Sequence, residues 1–145
     1  MGIFGSAINA FSILTHVMPS PVFLTGAVLS HPANREMPIA ADLTFGDLAG
    51  TRLAGTFDWR QPGPPVWEMR FETDAGLLEV TQHFGAMHID GVAQAFAPQS
   101  QYRGVYEHFA NLIVAGASDV DEAPLQIVAD AFLCGERRLV EPFED

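Results

Sequence analysis

The periodicity of apolar residues predicts a helix at the start of the chain, over 3–19. Apolar positions recur there every three or four residues, so they share one helical face. That face carries Phe4, Ile8, Phe11, Thr15 and Met18. A second stripe of small and polar residues holds Gly5, Asn9, Ser12 and His16. Such a stripe either faces water or lines a pocket, and Asn9 is its candidate binding residue.

The middle of the chain alternates between apolar and polar residues, which predicts strands. Turn-forming sequences separate these runs, and the strongest of them is QPGPP at 61–65. Their close spacing favours about six strands in a mostly antiparallel sheet. The predicted strands lie at 21–30, 39–45, 52–60, 67–72 and 77–84, with two short runs at 86–90 and 92–96.

The helical period returns after residue 100. One apolar stripe, ended by Gly116, comprises Tyr102, Val105, Tyr106, Phe109, Leu112 and Ile113. A second stripe comprises Leu125, Val128, Ala129, Phe132 and Leu133. Asp121 or Glu122 can cap the helix that carries this second stripe. We therefore expect one α+β domain over 1–145, with two layers: an open sheet, and helices packed by their apolar stripes on one face of it.

The strong negative charge argues against two classes of partner. The chain has 7 Lys and Arg against 18 Asp and Glu, a formal charge of −11, which repels nucleic-acid phosphates and anionic lipid surfaces. It has no long apolar span, and MGIFGSAINA lacks the basic start of a secretion signal. We expect a soluble cytoplasmic protein whose one cysteine, Cys134, is buried and unreactive.

Several motifs of catalysis and cofactor binding are missing from the sequence. It holds neither a phosphate-binding glycine motif nor a G-x-S-x-G elbow. His83 and His88 straddle a turn without a second pair of ligands, so we expect no metal site. The chain has no visible means of binding a nucleotide cofactor.

Two tryptophans flank the QPGPP turn and make a candidate sugar site. Trp59 and Trp67 lie close in sequence to Asp58, and an aromatic face beside a carboxylate suits a sugar ring. Packing in the core or at an interface explains both tryptophans equally well. Asn9 can hydrogen-bond a substrate hydroxyl, but it needs a base beside it for acid–base chemistry.

Three segments resemble the Gfo/Idh/MocA-type oxidoreductases, in particular the galactose 1-dehydrogenase-like aldose dehydrogenases. They are GIFGSAINAFSILTHVMPSPVFLTGAVLSHPANREMPIAADLTF, DWRQPGPPVWEM and YRGVYEHFANLIVAGASDVDEAPLQIVADAFLCGERR. The resemblance covers essentially the whole chain, but only the C-terminal domain of such an enzyme. It implies the architecture of the C-terminal domain of glyceraldehyde-3-phosphate dehydrogenase. It also implies a preceding Rossmann domain, absent here, that binds NAD or NADP.

The resemblance further implies roles for two positions of the first helix. In similar sugar 1-dehydrogenases an Asp-x-x-x-Asn pattern helps a lysine of the absent domain, in a Glu-Lys-Pro motif, to bind the sugar and deprotonate its C1 hydroxyl. The Asn matches Asn9, whereas the Asp matches Gly5, which has no side chain. Asn9 is therefore the candidate catalytic residue, with Asp58, Trp59 and Trp67 as further candidate substrate contacts.

Three functions remain open at this point. The first is the substrate-binding and dimerisation half of an NAD(P)-dependent aldose 1-dehydrogenase, inactive alone. The second is a non-catalytic sugar-sensing module, since galactose-pathway repressors resemble the same fold, and the third is a plain association module. The open sheet face mediates dimerisation in similar proteins, which implies a homodimer. Its candidate contacts are Arg52, Thr56, Asp58, Glu68 and Arg70.

Overall fold

A computed structural model describes residues 3–82, 85–96 and 100–144. These described residues form three helices and eight strands. In chain order the elements are α1 (Ile3–Val17), β1 (Phe23–Pro32), β2 (Ala40–Gly46), β3 (Arg52–Asp58), β4 (Met69–Thr73), β5 (Gly76–Thr81), β6 (Ala86–Ile89), β7 (Val92–Ala93), α2 (Gln101–Ala115), α3 (Ala123–Cys134) and β8 (Glu136–Val140). They divide into two compact units: unit 1 is Met1–Gln61 with Val120–Asp145, and unit 2 is Pro62–Asp119.

Unit 1 is built on a four-stranded sheet in the order β3-β2-β1-β8. Strand β2 is antiparallel to both β1 and β3, and β8 runs parallel to β1 after helix α3. Because side chains alternate along a strand, one face of this sheet is apolar and the other is polar. Helices α1 and α3 cover the apolar face, and they also pack against each other.

The core of unit 1 is a cluster of aromatic rings held between α1 and the sheet. Phe11 is 1% exposed, and its ring centroid lies 6.1, 6.2 and 5.3 Å from those of Phe4, Phe45 and Phe57. Full burial of a side chain of this size contributes about 1.5–3 kcal/mol to folding. Phe4 and Phe11 of the predicted apolar stripe therefore lie in the core, and Met18 packs against it, whereas Ile8 and Thr15 of that stripe are only partly buried.

The opposite face of the same sheet carries short polar side chains. Thr56 on β3 donates a hydrogen bond to the carboxylate of Asp42 on β2 at 3.1 Å. Thr25 on β1 donates to the hydroxyl of Thr44 on β2, also at 3.1 Å. All four residues are exposed, so β1, β2 and β3 each present polar side chains on this face.

Unit 2 contains a second sheet, in the order β4-β5-β6-β7, and the helix α2. The strands form an antiparallel meander in which Asp90 and Gly91 make the tight turn between β6 and β7. Both turn residues have positive φ angles, of 49° and 77°, as a two-residue hairpin turn requires. Helix α2 ends at Gly116, whose left-handed φ of 61° lets its N–H cap the helix.

The predicted α+β class and mostly antiparallel pairing are confirmed, and the strand count differs slightly. The one predicted sheet of about six strands is instead two sheets of four strands in the described residues. No strand forms over 61–68, where three prolines lack the N–H that a strand ladder needs. Part of the predicted strand at 77–84 lies outside the described residues.

Two predictions about the last two helices are wrong in detail. The core-facing side of α3 is formed by Pro124, Ile127 and Ala131, so Leu125 and Leu133 of the predicted stripe are exposed. The stripe of α2, expected to pack on a sheet, is also exposed, except for the half-buried Leu112. In a mostly apolar helix, neighbouring faces carry similar residues, so periodicity alone does not decide which of them is buried. Cys134, expected to be buried, is exposed at the end of α3.

Candidate functional site

The polar stripe of α1 lies on the surface of unit 1. Phe4, Ala7 and Phe11 turn one side of the helix into the core. On the other sides Gly5, Asn9, Ser12 and His16 are all exposed. Gly5 and Asn9 stand one helical turn apart on this surface. The predicted placement of both positions on one helix is therefore correct.

The side chain of Asn9 is exposed on this helix surface. The described residues give its exposed side chain no hydrogen-bond partner. A primary amide offers two donor hydrogens and an acceptor oxygen, which matches the mixed donor and acceptor character of a sugar hydroxyl. Gly5 adds no group at the neighbouring position, so any acid or base for chemistry here must come from elsewhere.

A groove opens at the C-terminal end of the same helix. It has a volume of about 470 Å³, and its lining includes His16, Ser20 and Asp121. The carboxylate of Asp121 accepts a hydrogen bond from the N–H of Ala123 at 3.0 Å. Glu122, the other predicted cap, is the N-cap residue of α3, but its side chain makes no capping hydrogen bond. The other carboxylate oxygen of Asp121 lies 3.4 Å from the hydroxyl of Thr15. The sequence does not reveal this groove, because Thr15 and Asp121 are 106 residues apart.

A buried carboxylate fixes the chain where it leaves this groove. Asp47 is 7% exposed and accepts a hydrogen bond from the hydroxyl of Ser20 at 2.7 Å. Its second oxygen accepts the N–H of Thr51 at 2.8 Å. Hydrogen bonding to Ser20, and then to Thr51, holds the pKa of Asp47 below its usual value. Asp47 therefore ties the β2–β3 turn to the segment that follows α1.

Asp58 lies on the polar face of the unit 1 sheet, away from α1. Its neighbour Phe57 packs against Phe11 of α1, so alternation along β3 directs Asp58 to the opposite face. There its carboxylate accepts two hydrogen bonds from the guanidinium of Arg60, at 2.9 and 2.8 Å. This pairing lowers the pKa of Asp58 and raises the pKa of Arg60. Asp58 and Asn9 therefore point to opposite sides of unit 1.

The two tryptophans belong to different units. Trp59 follows β3 in unit 1, is 48% exposed, and donates its backbone N–H to the carbonyl of Ile39 at 2.9 Å. Trp67 lies in unit 2 and is partly buried. The sequence places both rings beside one turn, and the structure assigns them to different units.

The histidines give no metal-binding cluster in the part of the chain that is described. No group of three His, Cys, Asp or Glu side chains there could hold a metal ion. His88 lies on β6, and His83 falls outside the described residues. His108 on α2 pairs instead with Asp119, with 2.7 Å between Nε2 and the carboxylate oxygen.

Two proteins share substantial sequence identity with the whole chain. A galactose 1-dehydrogenase from Pseudomonas fluorescens is 38% identical over all 145 residues, which span 48% of its length. The crystal structure of a D-galactose-1-dehydrogenase protein from Rhizobium etli is 47% identical, with a TM-score of 0.92 over 99% of this chain and 46% of that one. The chain resembles one half of a galactose 1-dehydrogenase. The predicted resemblance is thus confirmed, and the match is to the C-terminal part of the Pseudomonas protein.

More distant structures support the fold alone. A 3-ketoreductase from Actinomadura kijaniata, solved with NADP, is 15% identical, with a TM-score of 0.73 over 92% of this chain. A UDP-N-acetylglucosamine 3-dehydrogenase from Acidithiobacillus ferrooxidans is 17% identical, also with a TM-score of 0.73. This chain covers 47% and 45% of those two chains. No family model matches the sequence.

A search of the described residues for membrane-spanning segments gives a negative result. None of their helices is both long enough and apolar enough to cross a bilayer. The longest described helices, α1 and α2, have 15 residues each.

Proposed function

We propose that this chain is the substrate-binding half of an NAD(P)-dependent aldose 1-dehydrogenase that acts on galactose or a similar sugar. The observation that carries the proposal is the 47% identity to the Rhizobium protein, at a TM-score of 0.92. Identity at that level, over 99% of this chain, includes the helix that carries Asn9. The chain spans about half of the galactose dehydrogenases that it matches.

In this proposal the two halves of the enzyme divide the chemistry. A nicotinamide cofactor bound by the other half, which we expect to be a Rossmann domain, accepts the hydride from C1 of the sugar. Asn9 holds a sugar hydroxyl by its side-chain amide, and a lysine of the other half takes the proton. The 145-residue chain alone is therefore inactive.

Asn9 is the site residue on which the proposal depends. It is exposed on a rigid helix whose opposite side is anchored by Phe4 and Phe11, so its position is well defined. Asp58 points to the other side of unit 1, so we do not place it in the same sugar site as Asn9. Trp59 and Trp67 remain proposed substrate contacts. In this proposal their rings contact the sugar from outside the polar stripe of α1.

Gly5 supports a second candidate function, a non-catalytic sugar-sensing module. The sugar 1-dehydrogenases that the chain resembles have an aspartate one turn before Asn9, and glycine cannot replace its carboxylate. A chain that binds the sugar through Asn9 but lacks this group is suited to sensing. The two candidates differ in whether restoring the aspartate restores turnover.

We also propose that the polar face of the unit 1 sheet forms a homodimer. Arg52, Thr56 and Asp58 are exposed along β3, and short side chains such as Thr44 allow two sheets to approach closely. Light scattering at micromolar concentration is expected to give twice the monomer mass of 15.7 kDa. A monomer mass contradicts this part of the proposal.

The test of catalysis uses a chimera in which the preceding half of the Pseudomonas fluorescens enzyme is joined to this chain. Galactose-dependent formation of NADH or NADPH is measured for the 145-residue chain, the chimera and the chimera with Gly5→Asp. We expect no turnover by the chain alone and turnover by the Gly5→Asp chimera. Turnover by the chain alone contradicts the proposal.

Substitutions on α1 then test the role of Asn9 in the active chimera. Removing a hydrogen bond to the sugar by Asn9→Ala is expected to lower kcat/KM about tenfold to a hundredfold. Ser12→Ala, on the same exposed helix surface, is the matched control and should leave kcat/KM unchanged. Sugar binding without turnover in the Gly5→Asp chimera would favour the sensing module.

A further inference from the structure

Helix α2 presents an apolar stripe to solvent. The stripe consists of Tyr102, Val105, Tyr106, Phe109 and Ile113, and each of these side chains is between 60 and 67% exposed. Their spacing of three, four and seven residues places them on one side of the helix. Large contiguous apolar surfaces of this kind mark interaction sites in folded proteins.

The charged residues of α2 lie away from the stripe. Away from the stripe, Arg103 pairs with Glu107 at 2.7 Å, and His108 pairs with Asp119 at 2.7 Å. The helix has 15 residues and includes Gly104, and helices of that length are marginal in water without tertiary contacts. Its stability therefore depends on burial of the apolar side.

The similar proteins indicate what covers it. The Rhizobium structure matches 99% of this chain at a TM-score of 0.92, so it contains a counterpart of α2. This match uses only 46% of that protein, and the Pseudomonas match uses 48%. Proteins that carry this helix thus also carry a second part of about equal size.

We propose that the α2 stripe is the docking surface for that second part of the enzyme. This inference rests on the proposed function, because it assumes that the chain works together with such a half. Five large apolar side chains supply several hundred Å² of surface, which approaches the roughly 600–1,500 Å² of interfaces between domains. The stripe holds no charged residue, so association there is driven by apolar burial, and salt should affect it little.

The test compares one substitution in two contexts, the 145-residue chain and its chimera with the preceding half of the Pseudomonas enzyme. Phe109→Glu places a charge in the centre of the stripe, and Asn111→Glu places the same charge on another side of α2. We expect Phe109→Glu to lower the thermal midpoint of the chimera by about 4 °C or more. It should leave the midpoint of the 145-residue chain unchanged, and Asn111→Glu should leave both unchanged.

Several results would overturn the inference. A lowered midpoint in the 145-residue chain means that the stripe packs within this chain. A loss of dimer mass for Phe109→Glu in that chain means that a second copy covers the stripe. An unchanged midpoint in the chimera, or a chimera with no cooperative transition, means that the second half does not dock there.

The readout also separates this inference from the proposed function. Thermal midpoints do not depend on turnover, so docking can be confirmed in a chimera that fails to oxidise galactose. Conversely, the chimera can oxidise galactose while Phe109→Glu leaves its thermal midpoint unchanged. That result supports the proposed function and contradicts the docking surface.

Discussion

Helices α1 and α2 have the same length and similar apolar stripes, but opposite environments. Each has 15 residues. The central phenylalanine of α1, Phe11, is 1% exposed, whereas that of α2, Phe109, is 60% exposed. Helix α1 packs on a sheet and on α3 inside unit 1. The comparison shows that a stripe identifies the side of a helix to be buried without identifying the partner.

The difference between the two helices has a functional meaning if the chain is half of an enzyme. Helix α1 uses its buried stripe to hold its polar stripe, with Asn9, in a fixed position. Helix α2 has the reverse arrangement, since its charged residues form local pairs and most of its large apolar residues are exposed. The apolar side of α1 is covered within the chain, whereas we propose that the second half of the enzyme covers the apolar side of α2.

The largest expected difference in stability is between the variants that truncate Phe11 and Phe109. Phe11→Ala removes a ring that contacts three other rings and leaves a cavity, so it should cost about 3–5 kcal/mol of unfolding free energy. Phe109→Ala in the 145-residue chain should change that free energy by no more than about 0.5 kcal/mol. Urea denaturation measures the free energy of unfolding of both variants. Equal losses would mean that the two helices are equally packed.

Replacing two glycines by alanine is expected to change stability by less, and the two changes should have opposite signs. Gly135 follows α3, and a Cβ there would meet the carbonyl oxygen of Ala131, so Gly135→Ala should destabilise by about 1–3 kcal/mol. Gly104 lies within α2 with no atom within 4 Å of an added Cβ, so Gly104→Ala should raise helix stability by up to about 1 kcal/mol. Chemical denaturation and far-UV circular dichroism measure both. A destabilised Gly104→Ala variant would mean that α2 has a close neighbour.

The smallest effect concerns pH and is confined to unit 1. The pKa of Asp47 is lowered in the folded chain, so its ionised form stabilises folding above the ordinary carboxyl pKa. That contribution is lost as pH falls from about 5 towards 2. Asp47→Asn should therefore make acid unfolding less steep over that range. An unaltered acid transition for Asp47→Asn would contradict the role of its hydrogen bonds to Ser20 and Thr51.

Local patterns predicted the helices and most strands because they depend on residues close in sequence. The period around Phe11 and the glycine at 116 indicate α1 and the end of α2 directly. The resemblance to galactose 1-dehydrogenases singled out Asn9, and the structure places it on an exposed helix face. The groove beside Asp121 and the opposite orientations of Asn9 and Asp58 depend on contacts between distant segments. Alternation alone defines two faces of a strand, but only Phe57 packing on Phe11 decides which face meets α1.

Hydrogen exchange of the 145-residue chain tests most directly whether it is one half of a larger enzyme. Amides of α1 should exchange only on global unfolding, because their helix is anchored in the core. Amides of α2 should exchange at least about a hundredfold faster, since their helix lacks a covering surface. Joining the second half in the chimera should slow α2 and leave α1 unchanged. Equally slow exchange of α1 and α2 in the 145-residue chain would contradict the proposal that α2 needs a second half to cover it.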